Sequence, residues 1–313
     1  MKFNISKEWL LKRAHLEEGL EIGAGGPIES QAARTIDWSL FPVKEMYKRS
    51  WFEGFTGSLT AATAEAETLV MNFIERSIRR PLVALQRQRV RTGCEVNPYA
   101  LLAWQCRVLL LAKSAPPAKE FKHTAIDDAW LHALVQLSRF PNGPVRAKKH
   151  LSDVGIALVV ESHLQSTHLD GAALLGDDCP VVALTLRRDR LDNFWFVLLH
   201  EIIHIKKHLK KGSVEDIFDE GIFDEADIAH SDLEREADEL AGQALIPDEL
   251  WNTCLARYVQ SEDSVRRFAA ELGISPAIVA GRIQHEAGNW TILRQLLGQG
   301  EVRKLFPGVN FGD

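Results

Sequence analysis

Residues 194–208 read FWFVLLHEIIHIKKH, and this stretch constrains the chain more than any other. Eleven of its first twelve residues are apolar, aromatic or histidine. Such a run belongs in a core, and its length predicts a helix rather than a strand. Its middle nonetheless holds His200, Glu201 and His204. Burying two imidazoles and a carboxylate on an apolar helix is expensive unless they share a partner. His200 and His204 are four apart, so both lie on one helical face and can grip one ion. Zinc suits imidazole ligands. Glu201 lies about 100° round the helix from His200, beside the open position of such an ion, where a base for water belongs.

A catalytic zinc takes a third protein ligand and leaves a fourth position open. The next helical stretch, SDLEREADELAGQALI, offers Glu234, Glu236, Asp238 and Glu239. Leu233, Ala237, Leu240, Ala241, Ala244 and Leu245 form its apolar stripe. Glu234 lies about 60° from the centre of that stripe, Glu236 and Asp238 about 100°, and Glu239 about 160°. Glu234 is therefore the carboxylate most turned toward the core. Asp238, one turn on, is placed to accept the second N–H of a ligating histidine. A competing role for Glu234 is local: Ser231-x-x-Glu234 is a capping box, which would start the helix at Ser231. His208 continues the histidine face by one turn, but within KKHLKKG it reads as a solvent-facing helix end.

The rest of the chain divides in two. At 313 residues, two domains are the natural expectation. Residues 1–150 hold 22 Lys/Arg and 15 Asp/Glu, so +7, leaving −13 for residues 151–313. This change of sign predicts a boundary near 150. Before it the pattern is helical: FPVKEMYKRSWFEGF with its aromatic anchors, residues 59–91 up to a break at Pro81, NPYALLAWQCRVLLLAK capped by Asn97, AIDDAWLHALVQLSRF, and VRAKKHLSDVG. After it, IALVVES reads as a strand, and LDGAALL and VVALTLR as a hairpin around GDDCP. The histidine helix follows, then an acidic loop over about 209–230, the Glu234 helix ending at Pro247, and two more helices in SEDSVRRFAAELGISPAIVAGRIQHEAG. The predicted class is α+β: a helical, basic N-terminal domain (1–150), then a small zincin-like domain (151–313). In the latter a short antiparallel sheet packs on the histidine helix, with further helices at the C-terminal end.

HEIIH, the lead-in DNFWFVLLHE, EREADELAGQALIP some thirty residues on, and the tail ELGISPAIVAGRIQHE together resemble the ImmA/IrrE family of metallo-endopeptidases over about 150–290. In that family a glutamate of an E-x-x-x-[ND] element completes HExxH. The resemblance thus implies His200, His204 and Glu234 as zinc ligands, Asp238 as their companion, and Glu201 as general base on the zinc-bound water. It also implies a regulatory protein as substrate, a basic DNA-binding repressor or an antitoxin. Many relatives begin with a helix-turn-helix reader, and residues 1–60 hold none. The same fold without proteolysis, serving as a sensor or an antitoxin-like partner module, is the alternative. An oxyanion donor is also needed, with His285, Arg282 and Tyr258 as candidates. An edge strand, DGAALL or VVALTLR, could add an extended substrate.

Other signals are weaker. Six arginines between Arg76 and Arg91 could meet phosphate, but no aromatics are interleaved, and a solvated face or contact with the acidic half is the preferred reading. SVRRFAAELGISPAIVAGRIQ has a helix-turn-helix cadence with a weak charge balance, so direct nucleic-acid binding is not favoured. Residues 215–239 carry 12 acidic side chains, a rim that could steer a basic substrate. No apolar run reaches membrane length, the N-terminus is too polar for a secretory signal, and the four cysteines form no C-x-x-C pair. These features predict a cytoplasmic protein with free thiols.

Overall fold

The computed structural model describes residues 37–77, 97–165, 167–209 and 223–312, and for 223–231 the backbone alone. The arginine-rich run therefore lies outside the described residues except for Arg76, as do residues 1–36.

Local rules set the N-terminal helices. Ser58 caps α2 (Leu59–Ala64) through Ala61 N–H, after a short α1 (Val43–Lys48). Residues Ala66–Ser77 form α3. Asn97 Oδ1 accepts from Tyr99 and Ala100 N–H and Pro98 fills the first turn, which starts α4 (Pro98–Ser114). Asp127 caps α5 (Asp128–Gln136), and α6 (Gly143–Ser152) follows. Gly155, at φ +86°, then turns the chain into the sheet, where a Cβ would meet the Phe121 backbone at 2.4 Å.

The sheet comprises β1 (Ala157–Val160), β2 (Gly171–Leu175) and β3 (Pro180–Leu184), in the order β1-β3-β2. β2 and β3 form the predicted antiparallel hairpin, with Ala172 opposite Ala183. β1 joins parallel to β3, with Leu158 opposite Val182, so the sheet is mixed rather than antiparallel throughout. β3 is central, and VVALTLR has no free edge to offer; that role falls to β2 or β1.

Both faces of the sheet are covered, so β1 and β3 are apolar at every position rather than alternating. Ala157, Val159, Leu174, Val181 and Ala183 pack with α1, α3 and α4, including the fully buried Trp104. Leu158, Val160, Val182 and Leu184 pack with α7 (Leu191–Ile203), and α5 and α6 contribute Leu131, Leu134 and Leu151 to this same core. The helices before residue 150 thus divide between the two cores. Tethers join the N-terminal helices to the link after β1: Trp104 Nε1 donates to Glu161 O at 3.1 Å, and Arg49 to Ser162 O and His163 O at 2.9 and 2.8 Å.

α8 (Phe223–Leu245) packs along α7. It begins well before Ser231, so residues 223–230 are helix rather than acidic loop, and the capping-box role for Glu234 is removed. Acidic residues are favourable at a helix start, which explains why this run can be helical. Short α9 (Asp248–Thr253) and α10 (Leu255–Val259) lead to α11 (Glu262–Leu272) and α12 (Pro276–Ala287). α12 buries Ile278, Val279 and Ile283 in the α7 core, so the helix-turn-helix cadence here serves packing. Among the described residues, no helix is long and apolar enough to cross a membrane.

Candidate metal centre

α7 carries His200 and His204 on the face opposed by α8. The two Nε2 atoms stand 2.9 Å apart, and each lies 3.3 Å from a Glu234 oxygen. One donor atom from each of the three residues falls within 4.8 Å of the others, a group that could hold a metal ion. The stripe on α8 sets this: Ala237 and Ala241 are fully buried against α7, which turns Glu234 inward and leaves Glu239 largely exposed beside Arg235.

The far nitrogens of both imidazoles are held as well. His200 Nδ1 lies 3.0 Å from Asp238 Oδ1. His204 Nδ1 lies 2.9 Å from His208 Nδ1, whose Nε2 lies 3.2 Å from Glu236 Oε2. A carboxylate can only accept, so His208 carries its proton on Nε2 and offers Nδ1 as acceptor. His204 then donates from Nδ1, and its Nε2 lone pair faces the cluster. Asp238 Oδ1, 3.0 Å from His200 Nδ1, favours a proton on that nitrogen too. In their neutral forms both histidines present unprotonated Nε2 atoms to a shared point beside a carboxylate, so a divalent cation can replace the proton that His200 otherwise holds there. Glu234 Oε2 is buried there without a well-directed hydrogen bond.

His208 is not a solvent-facing helix end: its side chain is only 10 % exposed. After Ile203 the helix widens into a π-helical segment, His204–His208, in which Leu209 N–H donates five residues back to His204 O. This keeps His208 under His204. The histidine spacing i, i+4, i+8 is the sequence signal for it. Nothing in the sequence marks the π turn.

Electrostatics follow the packing. Burial pulls the His200 pKa down, but the close Asp238 and Glu234 carboxylates outweigh it and raise the value to about 9. Burial would raise Glu234, yet the two imidazoles hold it well below the usual carboxylate range. Burial pushes Glu201 up to about 7, with His200 and His204 pulling back. Burial lowers His208 against the opposing pull of Glu236, in keeping with its neutral relay role.

Glu201 points toward β2. Thr185 N–H donates to Asp170 O and Gly176 N–H to Cys179 O, so the even residues of β2 turn their backbone toward β3. The odd ones, Gly171, Ala173 and Leu175, turn theirs to the free edge. The Glu201 carboxylate accepts a hydrogen bond from the Ala173 backbone. Gly171 permits this approach: a Cβ there would stand 2.6 Å from Val197 Cγ1 and 2.9 Å from Glu201 Oε1. The free edge, Glu201, His200, His204 and Glu234 line one cleft of about 1050 Å³.

Of the proposed oxyanion donors, Arg282 and His285 reach the cleft wall. The Arg282 guanidinium is engaged by Ile246 O at 2.6 Å, by Asp248 and by the Trp251 ring. Tyr258 is 70 % exposed, does not line the cleft, and donates its hydroxyl to Asn252 O.

Residues 158–284 match the family described as Peptidase_M78, the IrrE N-terminal-like domain. No curated protein and no solved structure matches the chain. The matched segment runs from β1 into α12 and takes in both the histidine helix and α8. The match supports assigning this segment to the ImmA/IrrE family, a metallopeptidase-type family.

Proposed function

We propose that the chain is a cytoplasmic, zinc-dependent endopeptidase that hydrolyses a peptide bond in a regulatory protein. The observation that carries this reading is the convergence of His200 Nε2, His204 Nε2 and a Glu234 oxygen within 4.8 Å, with Glu201 buried at the adjoining strand edge. The donor set, two imidazoles and a carboxylate around one point, is of the kind that holds catalytic zinc. Bound there, zinc supplies Lewis acidity, which acidifies a water and polarises a peptide carbonyl.

The chain's own residues do the rest. His200, His204 and Glu234 hold the ion, and Asp238 and the His208–Glu236 pair fix the two imidazoles. Glu201 takes the water's proton on a carboxylate oxygen and delivers it to the leaving amine; a pKa of about 7 suits both steps near neutrality. An extended substrate adds to β2 through the outward backbone groups of Gly171 and Leu175 and the Ala173 carbonyl, the Ala173 N–H being held by Glu201. Asp238 and Glu239 make the α8 wall of the cleft acidic, which supports a basic target such as a DNA-binding repressor or an antitoxin.

The test measures bound zinc, and cleavage of a candidate repressor, in wild type and Glu201→Gln. The variant should keep its zinc and lose about 10²–10⁴-fold in cleavage rate. Cleavage at the wild-type rate in Glu201→Gln would overturn the assignment of the base. Wild type that takes up no zinc would overturn the metal reading.

A further inference from the structure

The cleft runs past Phe196 to the N-terminal end of α7, where Arg187, Arg188 and Arg190 line it with Trp290. A second cavity of about 740 Å³ adjoins this end, lined by the same four residues and by Arg303. Three of the four guanidiniums are engaged. Arg187 donates to both Asp170 oxygens at 3.1 and 3.4 Å. Arg190 donates to both Asp192 oxygens and to Gln284 Oε1. Arg303 donates to Leu186 O and Arg187 O and lies over the Phe311 ring.

Arg188 differs. Its side chain is 56 % exposed, and its contact among the described residues is with Asp170 Oδ2 at 4.0 Å, an oxygen already taken by Arg187. The remaining acid, Asp189, accepts the backbone N–H of Val302 and Arg303. Among the described contacts Arg188 is the least engaged of the four arginines, and it lines both cavities with the half-exposed Trp290 indole. A guanidinium with open donors in a cleft suits bidentate recognition of a carboxylate.

Its place relative to the chemistry follows from β2. Ala173 holds Glu201, and Asp170, the partner of Arg187 and Arg188, lies three residues upstream, about 10 Å along an extended chain. A peptide added antiparallel to β2, the stronger pairing mode, runs its C-terminal side toward Asp170.

We propose that Arg188, flanked by Trp290, is a specificity subsite for an acidic side chain about three residues C-terminal to the scissile bond. This rests on the peptidase reading of the cleft and refines its substrate class: a target that is basic overall carries an acid at this position.

The test uses the zinc-loaded full chain and short peptides whose N-terminus bears a succinyl hydroxamate as zinc anchor. The peptides carry Glu, Gln or Lys at the second, third or fourth residue. At low salt the Glu peptide should bind about tenfold more tightly than the Lys peptide at one of these positions, the scale of one partly exposed charge contact. The preference should vanish in Arg188→Ala and reverse in Arg188→Glu, both exposed-site changes whose folding is checked by thermal melting. Equal affinities for Glu, Gln and Lys in wild type, or an unchanged preference in Arg188→Glu, would overturn the subsite. No hydroxamate binding by any peptide would overturn instead the metallopeptidase reading beneath it.

Discussion

On one face of the sheet, α4 lays Trp104, Val108 and Leu109 over β1 and β3; on the other, α7 lays Trp195, Leu198 and Ile202 over β2 and β3. Both cores are apolar, but they treat a titratable group differently. On the α4 side, Cys106 is fully buried and its thiol is pushed up to about 12, so it stays protonated and inert. On the α7 side, burial pushes Glu201 up to about 7, into the range where it can exchange a proton, with His200 and His204 pulling it back. Desolvation acts on both groups; what differs is the partners, a single Ser77 hydroxyl beside Cys106 and two imidazoles beside Glu201. A core becomes a site where polar groups are buried in sets that satisfy one another around a common point.

The largest effect separating the two faces should come from Trp104→Ala. It opens a cavity on the α4 side and should cost about 3–5 kcal/mol in denaturant unfolding. Zinc affinity, read by chelator competition on the folded protein, should not change; a parallel loss would mean that the two faces act as one. Gly171→Ala works on the α7 side by overpacking, since its Cβ meets Val197 and Glu201. It should cost about 1–3 kcal/mol and lower cleavage more than zinc affinity, because the contact is with Glu201 rather than a ligand. His208→Ala should weaken zinc binding about 10–100-fold with the fold retained, as loss of a histidine's orienting partner does. Wild-type affinity in that variant would remove His208 from the site.

The smallest effect is a pH dependence of the metal-free protein. The His200 pKa is raised to about 9, so its contribution is complete below its unfolded value near 6.5 and is lost as pH rises through about 9. Glu201 is an acid raised from 4.5 to about 7, so the penalty for burying its charge grows over that interval. Both effects have the same sign. Melting temperature in chelator should fall by a few degrees from about pH 5 to about pH 9. Zinc affinity should rise over the same range, since the ligands bind deprotonated.

The site was legible in the sequence to the extent that it obeys helical periodicity. HEIIH and the inward turn of Glu234 follow from residues lying three and four apart on single helices. Asp238 follows likewise, from the same face one turn on. The part played by His208 did not, because it depends on a π-helical turn that has no composition signal. The start of α8 did not either, because an acidic run reads as loop and also suits a helix N-terminus. The parallel β1–β3 pairing is a contact between distant segments, and strand order leaves no local trace. Arg188 is one of three neighbouring arginines in sequence and of four in space; only the partners of the other three single it out.

The central claim is that Glu234 completes a metal centre begun by His200 and His204. Equilibrium dialysis against zinc tests it most directly, with wild type, Glu234→Ala and Glu239→Ala compared. Wild type and Glu239→Ala should hold stoichiometric zinc, and Glu234→Ala should lose it under the same conditions. Zinc held as tightly by Glu234→Ala as by wild type would contradict the claim.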